Sequence, residues 1–385
     1  MDFSPTDDER MFRAEVRTWL AQNVPSEPLP SGDTREGFVQ HVAWEKRLFE
    51  AGLAVVSWPV EYGGRGASLM QWLIFEEEYY RAGAPSRVTQ NGICLLAPTL
   101  FTFGTPEQRA RILPKMAAAE QLWAQGWSEP EAGSDLAAIK SSAVRTDGGW
   151  LLSGQKTWCT RASFCDALFG LFRTDPNVGR HGGLTYFMVD LKADGVTVRG
   201  FDRLDGDEGF AEVFLDDVFV GDGGVIGDVD EGWRVAMTTA SSERGLTLRS
   251  PGRFLATAER LVALHCRQGS DADPSLRDGV VQAWVEAQAY HVYTLRTATR
   301  ISEGETIGAE SSVNKLFWSE MDVRTHETAL ALLGGAAELE GGPAAVDEGA
   351  WMKGYQFALA GPIYAGTNEV QRNVVARRVL GLPRK

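Results

Sequence analysis

The sequence predicts a multi-domain α+β chain in which helices, then strands, then helices follow one another, and three observations carry that reading. Up to about residue 120, apolar residues recur at helical spacing behind capping residues. Between 150 and 220 the runs shorten, become β-branched or aromatic, and are parted by Gly, Asp, Asn and Pro. From Glu231 the helical period returns and persists. Domains are expected at 1–122, 123–229 and 230–385.

Thr6 and Glu9 form a capping box, and Phe12, Val16, Trp19 and Leu20 continue it as an amphipathic helix to about Val24. The Pro25–Pro30 segment ends it, and a second helix near Arg35–Ala51 leads to Trp58-Pro59-Val60-Glu61-Tyr62-Gly63-Gly64-Arg65-Gly66. That run lacks the third glycine and the preceding strand of a dinucleotide fingerprint, so it reads as a loop. Helices follow at 69–82, 97–103 and 106–120, the last with Thr105 as cap, Pro106 at its first position and Gln108 closing the box. Strands are expected at 150–153, 167–172, 184–189, 196–199 and 212–220. Helices return at 231–248, 252–268, 275–303, 310–333 and 368–380, with Gly334-Gly335 and Gly381 as terminators.

A formal charge of −14 removes the general positive field that a nucleic-acid partner would need, so any phosphate-bearing ligand must be held locally. Cys94, Cys159, Cys165 and Cys266 form neither a CxxC pair nor a metal spacing with histidine, which suits a reducing cytoplasm. No basic-then-apolar leader opens the chain, and no apolar stretch approaches the ~20 residues of a membrane span. His41, His181, His265, His291 and His326 share no spacing with carboxylates or cysteines and read as ordinary residues.

The stretch Gly126-Trp127-Ser128-Glu129-Pro130-Glu131-Ala132-Gly133-Ser134-Asp135 reads as a ligand loop, rich in backbone N–H and hydroxyl donors. Gln155-Lys156-Thr157-Trp158-Cys159-Thr160 follows, and Trp158 offers a flat ring. Taken alone, such a loop is also compatible with an ordinary connection. Gly126, Ser128, Glu129, Ala132, Gly133, Ser134, Asp135 and Ala138 resemble the middle-domain signature of the acyl-CoA dehydrogenase family, from which Trp127 departs by replacing an aliphatic residue. The resemblance spans nearly the whole chain. It implies an N-terminal helical domain, a β-barrel-like middle domain and a C-terminal four-helix-type bundle, with FAD as cofactor and an acyl-CoA as substrate. It further implies that Trp127, Ser128, Gly133 and Ser134 contact the flavin, Ser134 also the acyl-CoA, and that Trp158 and Thr160 lie beside the isoalloxazine.

In the 231–248 helix, Trp233, Ala236, Met237 and Ala240 mark one face, with Arg244 near its centre and Glu243 at its border. A charged pair on such a stripe is either an internal ion pair or a carboxylate base in an apolar pocket. Most acyl-CoA dehydrogenases place the base just before a C-terminal Gly-Thr, where this chain reads Tyr364-Ala365-Gly366-Thr367-Asn368-Glu369-Val370-Gln371-Arg372. A branch including the isovaleryl- and long-chain-type enzymes carries it in a Glu-Arg pair after the β-domain, and Glu243-Arg244 resembles that pair. The resemblance thus implies Glu243 as base and the Ala365 backbone N–H as donor to the thioester oxygen.

It also implies FAD contacts from Gly366, Thr367, Glu369, Gly334 and Gly335, CoA contacts from Arg244 and Arg377, and a reach to a neighbour's FAD from Arg267. The Arg267–Pro274 stretch and Ala331 depart from the family pattern at that shared grip. Electron-transfer flavoprotein is the implied acceptor, and a homodimer or homotetramer the implied assembly. Two alternatives stand beside this: an inactive or complementing subunit of a mixed oligomer, and a flavin oxidase or monooxygenase on the same fold.

Overall fold

The computed structural model describes residues 4–244, 250–268, 273–305 and 307–383, with backbone alone at 242–244 and 268. In chain order the elements are α1 Asp7–Asn23, α2 Arg35–Glu50, α3 Leu69–Arg81, α4 Ala97–Phe103 and α5 Pro106–Ala117, followed by β1 Trp123–Gly126, β2 Ser142–Thr146, β3 Gly149–Thr160 and β4 Ala167–Arg173. Then come β5 Leu184–Asp190, β6 Val196–Phe201, β7 Phe210–Gly221, β8 Val225–Ile226, α6 Gly232–Arg244, α7 Pro251–Gln268, α8 Pro274–Ser302, α9 Glu310–Leu333, α10 Ala350–Ala358 and α11 Asn368–Val374. Two compact units result, one drawn from Met1–Val24, Ser68–Ala84 and Arg244–Lys385, the other from Pro25–Ala67 and Pro85–Glu243.

The second unit holds the sheet, ordered β6-β7-β3-β2-β4-β5-β8, with β1 pairing β4 in parallel. Alternation along β3 and β7 delivers Trp150, Leu152, Cys159, Ala211, Val213, Leu215, Val218 and Val220 to one core with Phe172 and Phe187. β3 is a single twelve-residue strand where only 150–153 shows the period of a strand. Its continuation is hidden because two register shifts, at Leu152/Gly154 and Lys156/Cys159, break the alternation. Gly154 is required there: at φ 145° an added Cβ would come within 2.2 Å of the Ser141 hydroxyl. Asp33, buried beside the Arg161 and Arg203 guanidiniums, ties the segment before α2 to the loops bounding β3 and β7.

The first unit is helical. α7, α8 and α9 enclose two cores, around Leu261, Val280, Leu332 and Trp351 and around Phe254, Tyr290, Trp318 and Met321. Capping boxes at Thr6 and Thr105 form as expected, and Ser68 with Gln71 adds a third. The helix expected over 106–120 stops at Ala117, since Ala119 turns left-handed at φ 51°. The helix expected to end at 248 runs to Arg244, and 245–249 lie outside the described residues. The helix expected over 368–380 is α11 followed by a π turn, Val375–Val379. Among the described residues no helix is long and apolar enough to cross a membrane, and no group of three His, Cys, Asp or Glu could hold a metal. Cys94, Cys159 and Cys165 are buried, and Cys266 is exposed.

α1 is fastened to α3 by charge. Glu78, almost wholly buried, accepts from Arg13 Nη1 at 2.7 Å, from Arg17 Nε and Nη2 at 2.8 and 2.9 Å, and from Arg81 at 3.2 Å. Burial would raise the Glu78 carboxyl, but Arg17 and Arg13, with Arg81 adding, outweigh it and hold it below the usual range. A carboxyl depressed on folding stabilises above its unfolded pKa, near 4.3. That contribution disappears as pH falls through the folded value. Glu78→Gln should therefore cost about 2 kcal/mol at pH 7 in urea unfolding. The gap between variant and wild type should close below pH ~4; a gap unchanged with pH would rule out the charged clamp.

Candidate active site

The ligand loop is built on a buried ion pair. β1 ends at Gly126, and the chain turns tightly as Glu129 and Ala132 exchange both backbone hydrogen bonds at 3.0 Å. The Glu129 side chain turns inward and accepts from Lys156 Nζ at 2.7 Å, from the Lys140 N–H at 2.6 Å and from the Ser141 N–H at 3.0 Å. Lys156, on β3 and fully buried, also donates to the Leu171 carbonyl at 2.8 Å and lies over the Phe172 ring. Desolvation would raise the Glu129 carboxyl, yet Lys156 and the two N–H donors keep it below its ordinary value. The Thr157 N–H donates to the Ser128 carbonyl at 2.9 Å, so loop and strand form one body.

Trp158 stands at the second register shift of β3 with φ 58°, a conformation that costs a bulky residue free energy. Its ring meets Phe201 and Phe210 edge-on at 5.2 and 5.6 Å, while 60% of the residue stays open to solvent. Thr160, two residues on, and Ser128, whose carbonyl meets the Thr157 N–H, are half-buried, and Gly133 and Ser134 are exposed. The strained, uncovered ring is a flat apolar surface. Cys159 points the other way, fully buried in the sheet core, and burial pushes its thiol up to about 12, as suits a small hydrophobe.

The Trp127 indole donates to Tyr186 Oη at 3.3 Å, Tyr186 Oη meets Thr239 Oγ1 at 3.2 Å, and Thr239 meets Thr99 Oγ1 at 2.7 Å. This chain of hydroxyls rotates the buried face of α6 from the expected one. Val235, Ala236, Thr239 and Ala240 are buried, whereas Trp233 and Met237 are only half-buried. The difference follows from Thr239, which is polar in the sequence yet buried because its hydroxyl is satisfied. The side chains of the expected Glu243-Arg244 pair lie outside the described residues.

In the helical unit, Ala365 and Gly366 form a left-handed pair at φ 56° and 80°. Gln371 Nε2 donates to both of their carbonyls, at 3.0 and 3.2 Å. Thr367 caps α11 by accepting from the Val370 N–H at 3.3 Å, and Glu369 is exposed in the first turn. The Glu369 carboxyl lies below its ordinary value, chiefly through its own backbone N–H and the Thr367 hydroxyl. Arg377 is exposed in the π turn after α11. Arg267, in the last turn of α7, already pairs with Asp347 at 2.9 and 3.1 Å, and Asp347 also accepts from the Trp351 indole. Residues 269–272 of the divergent Arg267–Pro274 stretch lie outside the described residues. Gly334 ends α9 at φ 54° and, with Gly335, opens an exposed 3-10 turn. The structure thus joins Trp127, Ser128, Trp158 and Thr160 in one unit, and Ala365, Gly366 and Thr367 in the other. Reasoning from the sequence overlooked Glu129, Lys156 and Gln371 as members of these arrangements, although all three stand inside the motifs it singled out.

Three consecutive family matches cover the chain: the acyl-CoA dehydrogenase N-terminal domain over residues 6–120, the middle domain over 124–218 and the C-terminal domain over 230–380. The chain belongs to the acyl-CoA dehydrogenase family. The acyl-CoA dehydrogenase IpdE1 of Mycolicibacterium smegmatis is 41% identical over 97% of this chain and 98% of that protein. The solved Tcur3481-Tcur3483 steroid acyl-CoA dehydrogenase superposes with a TM-score of 0.90 at 27% identity, covering all of both chains. The ChsE4-ChsE5 complex from Mycobacterium tuberculosis does so with 0.86 at 26%, again over all of both. The protein is accordingly an FAD-dependent oxidoreductase that acts on a CH–CH group of an acyl-CoA.

Lys156→Met removes one partner of a buried pair and leaves Glu129 charged in a dry site, at a cost of about 3 kcal/mol. Double replacement, Lys156→Met with Glu129→Leu, should recover part of that loss. Thermal unfolding of both variants and of Glu129→Leu alone, with the FAD content of each, checks this; a double loss equal to the sum of the two single losses would show that the pair is not coupled.

Proposed function

We propose that the chain desaturates an acyl-CoA thioester between its α and β carbons, with Glu243 as the base that removes the α-proton. The observation that supports this most is the absence of a carboxylate in the Tyr364–Thr367 turn, together with the Glu243-Arg244 pair that the sequence places at the end of α6. An α-proton is too weakly acidic for a carboxylate in water, so the thioester oxygen needs a donor as the proton leaves. The Ala365 N–H serves there, and the methyl side chain leaves room for a carboxylate arriving from elsewhere.

The donor set fits FAD: a flat, uncovered indole at Trp158, hydroxyls at Ser128, Ser134 and Thr160, and exposed backbone at Gly133. When bound, FAD accepts the β-hydride. In this reading Trp158 and Thr160 flank its ring system, Trp127, Ser128, Gly133 and Ser134 hold it from the loop, and Gly366, Thr367 and Glu369 meet its adenine side. Arg267, Gly334 and Gly335 serve the FAD of a neighbouring subunit, and Ser134, Arg244 and Arg377 hold the CoA thioester. Electrons then leave to an electron-transfer flavoprotein. The relative described as a steroid acyl-CoA dehydrogenase directs the search for the acyl group toward ring-bearing thioesters first.

Glu243→Gln should keep a full complement of FAD yet slow anaerobic flavin bleaching by acyl-CoA at least a hundredfold or so. Bleaching at the wild-type rate would remove Glu243 from the mechanism. Rapid oxygen consumption by the reduced wild-type protein would favour an oxidase.

A second reading has an observation of its own. Val281, Trp284, Val285 and Val292 leave an apolar stripe exposed along α8, and two solved relatives are described by paired names. The chain would then assemble as a homodimer or homotetramer, or with a different acyl-CoA dehydrogenase chain that completes its site. Purified alone and weighed by light scattering, a yellow oligomer with one FAD per chain supports self-assembly. A colourless monomer that gains flavin only with a second chain supports the mixed oligomer.

A further inference from the structure

The Tyr364–Thr367 turn holds two successive residues in the left-handed region, and one of them is alanine, which has no intrinsic reason to stay there. What holds them is a single side chain. Gln371 is fully buried, its own N–H donates to the Thr367 carbonyl at 2.9 Å, and its Nε2 reaches back to the carbonyls of Ala365 and Gly366. A Cβ at Gly366 would lie 2.5 Å from that nitrogen, so only glycine lets the carboxamide in. Reversing the amide would set its oxygen against two carbonyl oxygens, which fixes its orientation. Its Oε1 is left without a hydrogen-bond partner, a burial that packing alone would not favour. The far end of the turn is gripped independently. The Asn368 N–H donates to the Pro362 carbonyl at 2.8 Å, and Asn368 Oδ1 accepts from the buried Lys315 Nζ at 2.7 Å and from Ser319 at 3.2 Å.

With both carbonyls pinned and the entry to α11 anchored, Ala365 is held at φ 56°, and that angle sets where its N–H points relative to the clamped peptides. We infer that Gln371 is a positioning residue for the acyl-CoA thioester: by clamping the Ala365–Gly366 carbonyls it aims the Ala365 N–H at the thioester oxygen. The inference rests on the donor role given above to that N–H.

The test uses the FAD-loaded enzyme and two ligands that differ at one oxygen. Acetoacetyl-CoA carries the thioester carbonyl, and S-(3-oxobutyl)-CoA has a methylene in its place. Wild type should prefer the carbonyl ligand. Gln371→Met, similar in length but without a donor, should lose that preference by on the order of tenfold to a hundredfold. It should lower kcat for flavin reduction by a like factor while KM, FAD content and thioether affinity hold. Gln371→Glu supplies a donor only when protonated, so its preference, relative to wild type at the same pH, should recover as pH falls. Equal weakening of both ligands, or loss of FAD in step with kcat, would leave Gln371 a merely structural role and overturn the inference. A preference kept intact in Gln371→Met, or a Gln371→Glu protein indifferent to pH, would also overturn it. A wild type without any preference would instead strike the Ala365 donor itself.

Discussion

The buried Lys156–Glu129 pair is the constraint on which the Gly126–Asp135 loop and its seat on β3 depend. A full ammonium and a full carboxylate are removed from water beneath the Gly126–Asp135 loop, and each survives only because the other, and a ring of backbone groups, completes its bonding. The carboxylate reaches Lys140 and Ser141, so the return of the chain toward β2 is set by the same atoms. The lysine is anchored in β3 two residues before Trp158, which couples the loop to the strained residue of the sheet. Neither group could be replaced singly by an apolar side chain without leaving an isolated charge, and for that reason the loop behaves as part of the sheet.

Periodicity and capping made most helices legible. Thr6 with Glu9 and Thr105 with Gln108 announce their helices because the capping interaction is local, three residues apart, and independent of the rest of the fold. Register shifts defeat the same approach in β3, whose pairing with β7 decides where the strand continues. β1 and β8, at four and two residues, are too short for any period to show. Site residues divide along the same line. Ser128, Ser134, Trp158 and Thr160 sit in recognisable runs. The left-handed Trp158 and the clamp of Gln371 depend on backbone angles that no residue type dictates, and Thr239 reads as a solvent-facing polar residue until Thr99 and Tyr186 are seen to meet it.

The substitution of alanine before Gly366–Thr367 illustrates how a backbone function tolerates sequence change. An N–H is carried by every residue but proline, so position 365 can shed a carboxylate without shedding a donor. What it cannot shed is the turn. On the donor role proposed above, Gly366, Gln371 and Asn368 are constrained more tightly than the residue whose amide they would aim, and the demand for specific chemistry moves from position 365 to its neighbours.

Trp158 holds its indole in one orientation by φ and by two phenylalanine edges while most of it remains uncovered. The rotamer freedom of that side chain is surrendered when the protein folds, not when a ring system arrives. Association then meets a surface already arranged for stacking, and its entropic cost falls on the ligand alone. On the flavin contact proposed above, the folded chain is a mould cast before its contents: the backbone strain at Trp158 is met when the strand forms, so the ring stands in place before a flat heteroaromatic group arrives.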